Sequence, residues 1–267
     1  TDDGDIIKIS KEDLEILEEF LTKLKTKVQG SGFDLNEDEY KHLGTLKGAG
    51  LVSGLQKMIS GNAKRVSGID KEDVDIQKIA NQTYKKERRV QVGSFNYVTN
   101  ESDEEKALYK NDETKQIIIA FRGSKVMKDL KTDLKLAIGG IRKTERYASS
   151  KDYVDKIKTL YPDYTITLTG HSLGGTLAIQ MSKDFGDKAV VFNAGHTPLS
   201  SSQETKDLPI KYYTKKGDIA SMTGGRSYKD VRLVDTDDKN ALEAHKMNNF
   251  EEVDNGGSLI GGAFNPE

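Results

Sequence analysis

The chain contains no cysteine, only four prolines and only four histidines in 267 residues. Without cysteine there is no disulfide, no thiolate metal site and no thiol nucleophile, although the compartment stays open. No apolar run approaches the ~20 residues that a membrane-crossing helix needs. A secretory leader pattern is missing as well. The chain starts at Thr1 rather than Met, so secretion after removal of a leader stays open. Neither sign of charge dominates: 41 Lys and Arg face 43 Asp and Glu, for a net charge of −2. Such a balance gives no general attraction to nucleic acid or to an anionic membrane. Hydrophobic residues make up 35% and charged residues 31%. Length and composition suit a soluble α/β domain with a modest core and a small appendage.

The first part of the chain reads as helical. Leu14, Leu17, Leu21 and Leu24 recur at helical spacing over 9–28, with Ser10 as N-cap and Asp13 three positions on. Gly30-Ser31-Gly32 interrupts the pattern. A second helix is expected over 34–58, a loop over 61–68, and a third helix over 70–86 with Val74, Ile76, Ile79, Ala80 and Tyr84 as apolar members. Residues 1–68 are therefore expected to form a helical extension, and 69–267 the main domain. Leu51, Leu55 and Ile59 make 48–59 the most apolar part of the extension. Packing on the main domain is the simpler expectation, since an exposed apolar stripe is rarely tolerated. Contact with a lipid or a partner, flanked by Lys57, Lys64 and Arg65, is the alternative.

From residue 90 the pattern changes. Residues 90–99 alternate as a strand, and 100–113 are acidic and polar, read as a turn or short helix. Residues 116–121 read as a strand, continuously apolar from Ile117 on, as a strand buried on both faces should be. A helix over 125–137 places Val126, Leu130, Leu134 and Ala137 inward, and Gly139-Gly140 follows as a hinge. A helix over 144–160 stops before Pro162. Further strands are expected over 188–193, 210–214 and 231–234. Strands alternating with helices imply a mostly parallel sheet wrapped by helices.

The most informative stretch is Thr165-Ile166-Thr167-Leu168-Thr169-Gly170-His171-Ser172-Leu173-Gly174-Gly175, followed by a helix-forming run over 176–185. A β-branched strand enters G-H-S-L-G-G and a helix leaves it, which is the context of a G-x-S-x-G nucleophile elbow. Small residues must flank the serine because the turn is tight. The helix N-terminus beneath offers backbone N–H groups to a developing oxyanion.

A serine nucleophile needs a base and a carboxylate that orients the base. In α/β hydrolases the chain order is Ser, then Asp or Glu, then His. His42 lies in the helical extension, and His171 points away from its neighbour Ser172. His196 precedes any suitable acid, whereas His245 follows the last strand and fits the order. Asp218 sits just past the strand 210–214, where a carboxylate on a strand-end loop is expected. Asp235, Asp237 and Asp238 also follow a strand but read as a solvated turn. One oxyanion donor is the N–H of Leu173; the second should come from the end of an earlier strand, where Phe121-Arg122-Gly123-Ser124 stands.

Together these residues resemble the class 3 lipases, the fungal-lipase-like α/β hydrolases. F-R-G-S at 121–124 resembles that family's oxyanion strand. Asp129-Leu130-Lys131-Thr132-Asp133-Leu134 is similar to its D-W-x-x-D-L segment, with Leu130 in place of Trp. Tyr161-Pro162-Asp163-Tyr164 and the elbow are similar to its nucleophile region. The resemblance covers roughly residues 80–250. It implies Ser172 as nucleophile, Asp218 as acid, His245 as base and Ser124 with the Leu173 amide as oxyanion hole. It departs at 141–147 and at Asn193-Ala194-Gly195-His196-Thr197-Pro198, two segments that frame the substrate pocket. The implied activity is hydrolysis of a carboxylic ester, as by a lipase or phospholipase, with no metal or organic cofactor. The implied partner is a lipid or ester substrate at a membrane or micelle interface, with no nucleic acid. Residues 125–143 correspond to the region of the family's lid. An esterase or amidase acting on a soluble substrate, and a non-enzymatic binding protein on the same fold, are the alternatives.

Overall fold

The computed structural model describes residues 64–124, 141–195, 207–215, 218, 228, 230–234, 245, 247 and 250. The helices expected over 9–58, the helix over 125–137 and its glycine hinge lie outside the described residues.

Among the described residues, one sheet of nine strands organises the chain. In chain order the strands are β1 (Lys64–Val66), β2 (Gln91–Val92), β3 (Phe95–Tyr97), β4 (Lys106–Asn111), β5 (Gln116–Phe121), β6 (Thr165–His171), β7 (Lys188–Phe192), β8 (Ile210–Lys215) and β9 (Asp230–Val234). Their order across the sheet is β1-β9-β8-β7-β6-β5-β4-β3-β2. From β1 to β5 every pairing is parallel, and β4, β3 and β2 add an antiparallel edge. Helices α1 (Val74–Gln82), α2 (Glu145–Leu160) and α3 (Leu173–Phe185) cover the faces. This is a mostly parallel sheet wrapped by helices, as the alternation of patterns implies.

The apolar run of β5 shows why both faces must be covered. Ile117, Ile119 and Phe121 pack into one core with Val154 and Ile157 of α2 and Leu177 of α3. Ile118 and Ala120 point the other way, into a second core with Ile76, Ile79 and Ala80 of α1. Successive side chains of a strand alternate in this way, so a continuous apolar run marks a doubly covered strand. The α2 boundary follows its local chemistry. Thr144 caps the helix by accepting from the Tyr147 amide at 3.1 Å, and Pro162 lies just beyond its end.

Three local expectations are corrected. Residues 100–113 hold β4, a strand buried between β3 and β5, rather than a turn or short helix. Its central Ala107, Leu108 and Tyr109 are buried, and so is Lys106. The Lys106 ammonium is satisfied by Asp103 at 3.0 Å and Ser149 at 3.2 Å, so a polar sequence hides a core strand. Residues 90–99 form a β2–β3 hairpin, turned at Gly93 with φ of +55°, rather than one strand. Residues 64–66, expected as loop, form the edge strand β1 paired with β9.

At the amino ends of the strands an ion cluster ties the chain before α1 to the sheet. Lys211 Nζ lies 3.1 Å from Asp70, 2.6 Å from Glu72 and 2.7 Å from the buried Asp73. Burial works against the Lys211 charge, but the hydrogen bonds to these carboxylates outweigh it and hold its pKa above the usual lysine range. Among the described residues these three acids are the set close enough to hold a cation. Lys211 already supplies that charge. No helix of the described residues is long and apolar enough to cross a membrane.

Candidate active site

The carboxyl ends of β5, β6, β7 and β8 lie side by side, because these four strands are parallel. Ligands and reacting groups in open α/β sheets gather at that edge. Ser172 stands there, between β6 and α3, with φ of 55° and ψ of −127°. A non-glycine residue rarely adopts a positive φ, and such strain costs about 1–3 kcal/mol. The surroundings enforce it. A Cβ on Gly170 would lie 2.4 Å from the Gly174 carbonyl carbon, and a Cβ on Gly174 would lie 2.1 Å from the Phe121 oxygen. Strand, turn and helix therefore approach more closely than side chains allow. The same closeness explains why α3 begins at Leu173, earlier than the helix expected from 176, although Gly174 and Gly175 are weak helix formers.

Distant parts of the chain meet at the serine. Ser172 Oγ lies 2.9 Å from His245 Nε2, and His245 Nδ1 lies 2.5 Å from Asp218 Oδ1. All three residues are buried. Asp218 follows β8, its amide donating to the Lys215 carbonyl at 3.2 Å. His245 lies beyond β9. In this geometry an imidazole can take the hydroxyl proton while the carboxylate stabilises the imidazolium. His196, Asp235, Asp237 and Asp238 lie outside the described residues.

The segment expected to provide an oxyanion donor lies against the elbow. Phe121 is in register with Gly170. Gly123 is packed so tightly that a Cβ would lie 2.1 Å from Tyr84 Oη and 2.7 Å from the His171 carbonyl oxygen. Ser124, half-buried, is the next residue. Leu173 opens α3, so its amide belongs to the first turn, where N–H groups carry positive character.

Two residues around His245 had no role in the sequence reading beyond their place in the chain. His171 is buried, and its ring lies 4.8 Å from that of His245. His171 Nε2 approaches the His245 carbonyl at 2.6 Å, and His171 Nδ1 lies 2.9 Å from Tyr84 Oη. A carbonyl only accepts, so Nε2 carries the proton and Nδ1 accepts from Tyr84. Asn193, at the end of β7 with φ of 43°, donates to the same His245 carbonyl at 3.4 Å and accepts from the Lys215 amide at 3.1 Å. Both residues thus hold the backbone of His245. Their one sequence signal is position, immediately at or after the carboxyl end of a central parallel strand.

Burial, reinforced by the neighbouring His245, pushes the His171 pKa well below the usual 6.5. The folded chain therefore binds a proton at His171 less readily than the unfolded chain. Stability from this site is complete above pH 6.5 and declines as pH falls toward the lowered value. A thermal melt series from pH 7.5 to pH 5 should show Tm falling with acid. In His171→Gln, which keeps an amide donor, Tm should start lower and fall less. Equal slopes for both proteins would remove His171 from this account.

A family model described as a Tle-like phospholipase domain matches residues 74–227. The chain is similar to the "Putative lipase ATG15" of Candida glabrata, with 43% identity over 68 residues, 26% of this chain and 14% of the relative. It is similar to the protein of the same name from Kluyveromyces lactis, with 41% identity over 69 residues, 26% of this chain and 13% of the relative. The match thus spans only a small part of those relatives' length. Among solved structures, it is similar to the Lip2 lipase from Yarrowia lipolytica, with a TM-score of 0.44 and 18% identity over 64% of this chain and 82% of that one. A Rhizomucor miehei lipase propeptide complex gives a TM-score of 0.42 and 16% identity, over 57% of this chain and 62% of that one.

Proposed function

Because the chain belongs to the Tle-like phospholipase domain family, we propose that it is a serine hydrolase that cleaves acyl esters of lipids. The observation that carries this reading is the buried line from Ser172 through His245 to Asp218 at the carboxyl edge of the sheet. Ser172 Oγ attacks the ester carbonyl as His245 Nε2 takes its proton. His245 then protonates the leaving alcohol, and Asp218 holds the ring so that Nδ1 keeps its hydrogen. The Leu173 amide, with Ser124 from the end of β5, stabilises the tetrahedral oxyanion. A water activated by His245 releases the fatty acid and restores the serine.

The ester is met at a micelle or membrane surface. Leu130, Leu134, Leu136 and Ile138 give residues 125–140 the composition of an apolar cover, whereas Ile141, after Gly139-Gly140, is buried in the core and is not part of one. Opening an apolar cover is favourable only against lipid. A fluorophosphonate probe should label the native chain, with peptide mapping placing the adduct on Ser172. Turnover of a short-chain ester should rise sharply above its critical micelle concentration. An unlabelled serine would overturn the hydrolase reading. A smooth rate through the micelle concentration would restrict the enzyme to soluble esters.

A further inference from the structure

Beside the elbow lies a cavity of about 580 Å³, between the segment that follows α1 and the end of β5. Tyr84, Lys85, Lys86, Arg88 and Arg122 stand in its wall. Its volume lies within the ~300–1,000 Å³ typical of small-molecule sites. Two of these residues adjoin the serine turn. Tyr84 Oη is 2.9 Å from Nδ1 of His171, the residue before Ser172. The Arg122 carbonyl carbon lies 2.8 Å from where a Cβ on Gly174 would stand.

The wall has a charge that the chain as a whole lacks. The protein carries −2 overall, yet four cations here face two carboxylates, Asp103 and Glu104. Asp103 is already engaged: it lies 3.0 Å from Lys106 Nζ and accepts from the amides of Glu105 and Lys106 at 2.8 Å each. The two guanidinium groups are held by neutral acceptors instead. Both donate to the Glu104 carbonyl, Arg122 at 3.0 Å and Arg88 at 3.2 Å. Arg88 also donates to the Lys106 carbonyl at 3.1 Å and to Tyr97 Oη at 3.0 Å. Carbonyls fix the orientation of a guanidinium without cancelling its charge. Among the described residues no carboxylate forms an ion pair with Arg88, Arg122, Lys85 or Lys86. A concave wall with an excess of one sign concentrates counter-ions of the other. Planar guanidinium forks match the oxygens of a phosphate, and two ammonium groups at the rim add attraction without fixed geometry.

We propose that this cavity receives the phosphodiester of a glycerophospholipid headgroup while the acyl ester of the same lipid lies at Ser172. The proposal rests on the lipid-ester reading above and adds the site that selects the lipid. An acyl ester and a phosphodiester on one glycerol are close neighbours, and the cavity's Tyr84 contacts the residue that precedes Ser172. Arg122 and Arg88 grip the phosphate, and Lys85 and Lys86 draw the anionic surface toward the opening.

The test uses the full chain and two lipids with identical acyl esters, dioctanoyl phosphatidylglycerol and dioctanoylglycerol, in the same nonionic micelles. The native protein should prefer the phospholipid. Arg122→Gln should lower the phospholipid-to-diacylglycerol ratio of kcat/KM roughly tenfold, mainly through KM, as expected when a charge-assisted hydrogen-bonded pair is lost. Lys85→Gln with Lys86→Gln changes only exposed side chains and should lower the ratio about threefold, with the gap closing at high salt. An unchanged ratio in both variants overturns the proposal. Calorimetry with glycerophosphoglycerol, which has no ester to cleave, gives a reading independent of turnover. The native chain and Ser172→Ala should bind it equally, and Arg122→Gln should bind it at least several-fold more weakly. Binding of inorganic phosphate or octanoate as tight as that of glycerophosphoglycerol overturns the headgroup assignment in favour of a free-anion site. Should Ser172→Ala cleave both lipids like the native chain, the ester reading fails, and calorimetry still decides the cavity.

Discussion

Ser172→Ala is expected to lower ester turnover by about 10⁴–10⁶-fold, the scale on which removing a serine nucleophile acts. The fold should survive. The hydroxyl's contact in the structure is the one to His245, and alanine meets the same backbone conformation as serine. Ser172→Gly separates two properties of this position. Glycine accepts a φ of 55° without strain, so this variant should be equally inactive yet more stable by about 1 kcal/mol or more. Steady-state kinetics on a short-chain ester, paired with thermal melts, reads both effects. Turnover of Ser172→Ala within tenfold of the native chain would end the assignment of this serine.

His245→Ala and Asp218→Asn should be nearly as damaging, for different reasons. Without the imidazole no group among the described residues stands beside Ser172 to take its proton, and a loss of about 10⁵–10⁶-fold follows. With Asn at 218 the geometry stays but the partner of His245 Nδ1 becomes an amide. The amide can present its N–H to the ring and favour the tautomer whose Nε2 is protonated and unable to act as base. That error costs roughly 10⁴-fold in a comparable arrangement. Asp218 and His245 are buried, so each protein should be checked by melting before rates are compared. His196→Ala and Asp235→Asn serve as contrasts and should retain most activity. A dead His196→Ala beside an active His245→Ala would move the base to the segment after β7.

The correspondence between pattern and structure is uneven, and the reasons are local. The elbow could be read because its chemistry is contained in eleven consecutive residues: a β-branched strand, glycines where backbones touch, a serine between them. The strand Gln116–Phe121 could be read because burial on both faces demands an unbroken apolar run. β4 could not. Its lysines and asparagine look like those of a surface turn, and only the partners that Asp103 and Ser149 supply to Lys106 make burial tolerable. β1 could not either, since three residues with exposed Lys64 and Arg65 become a strand only when β9 lies beside them.

The site divides in the same way. Chain order and strand-end placement selected Asp218 and His245 from the sequence, because the topology of a parallel sheet constrains where an acid and a base can follow a serine. Distance belonged to the tertiary structure. Ser172 and His245 are 73 positions apart, and nothing along the chain measures the 2.9 Å between their side chains. The supports of His245 were equally out of reach. His171 turns its ring away from Ser172, as its place in the elbow implies, but only folding puts that ring under the His245 carbonyl and against Tyr84. The cationic cavity is the clearest case. Arg88 and Arg122 are 34 positions apart in a chain with near-balanced charge, and they become neighbours because both donate to one carbonyl, that of Glu104. By itself the sequence determined the elements that rest on local chemistry: the strained turn, the doubly buried strand, the helix that stops before Pro162. Tertiary structure decided everything that depends on which polar groups share a buried partner, because that sharing exists only once the sheet has brought its strand ends together.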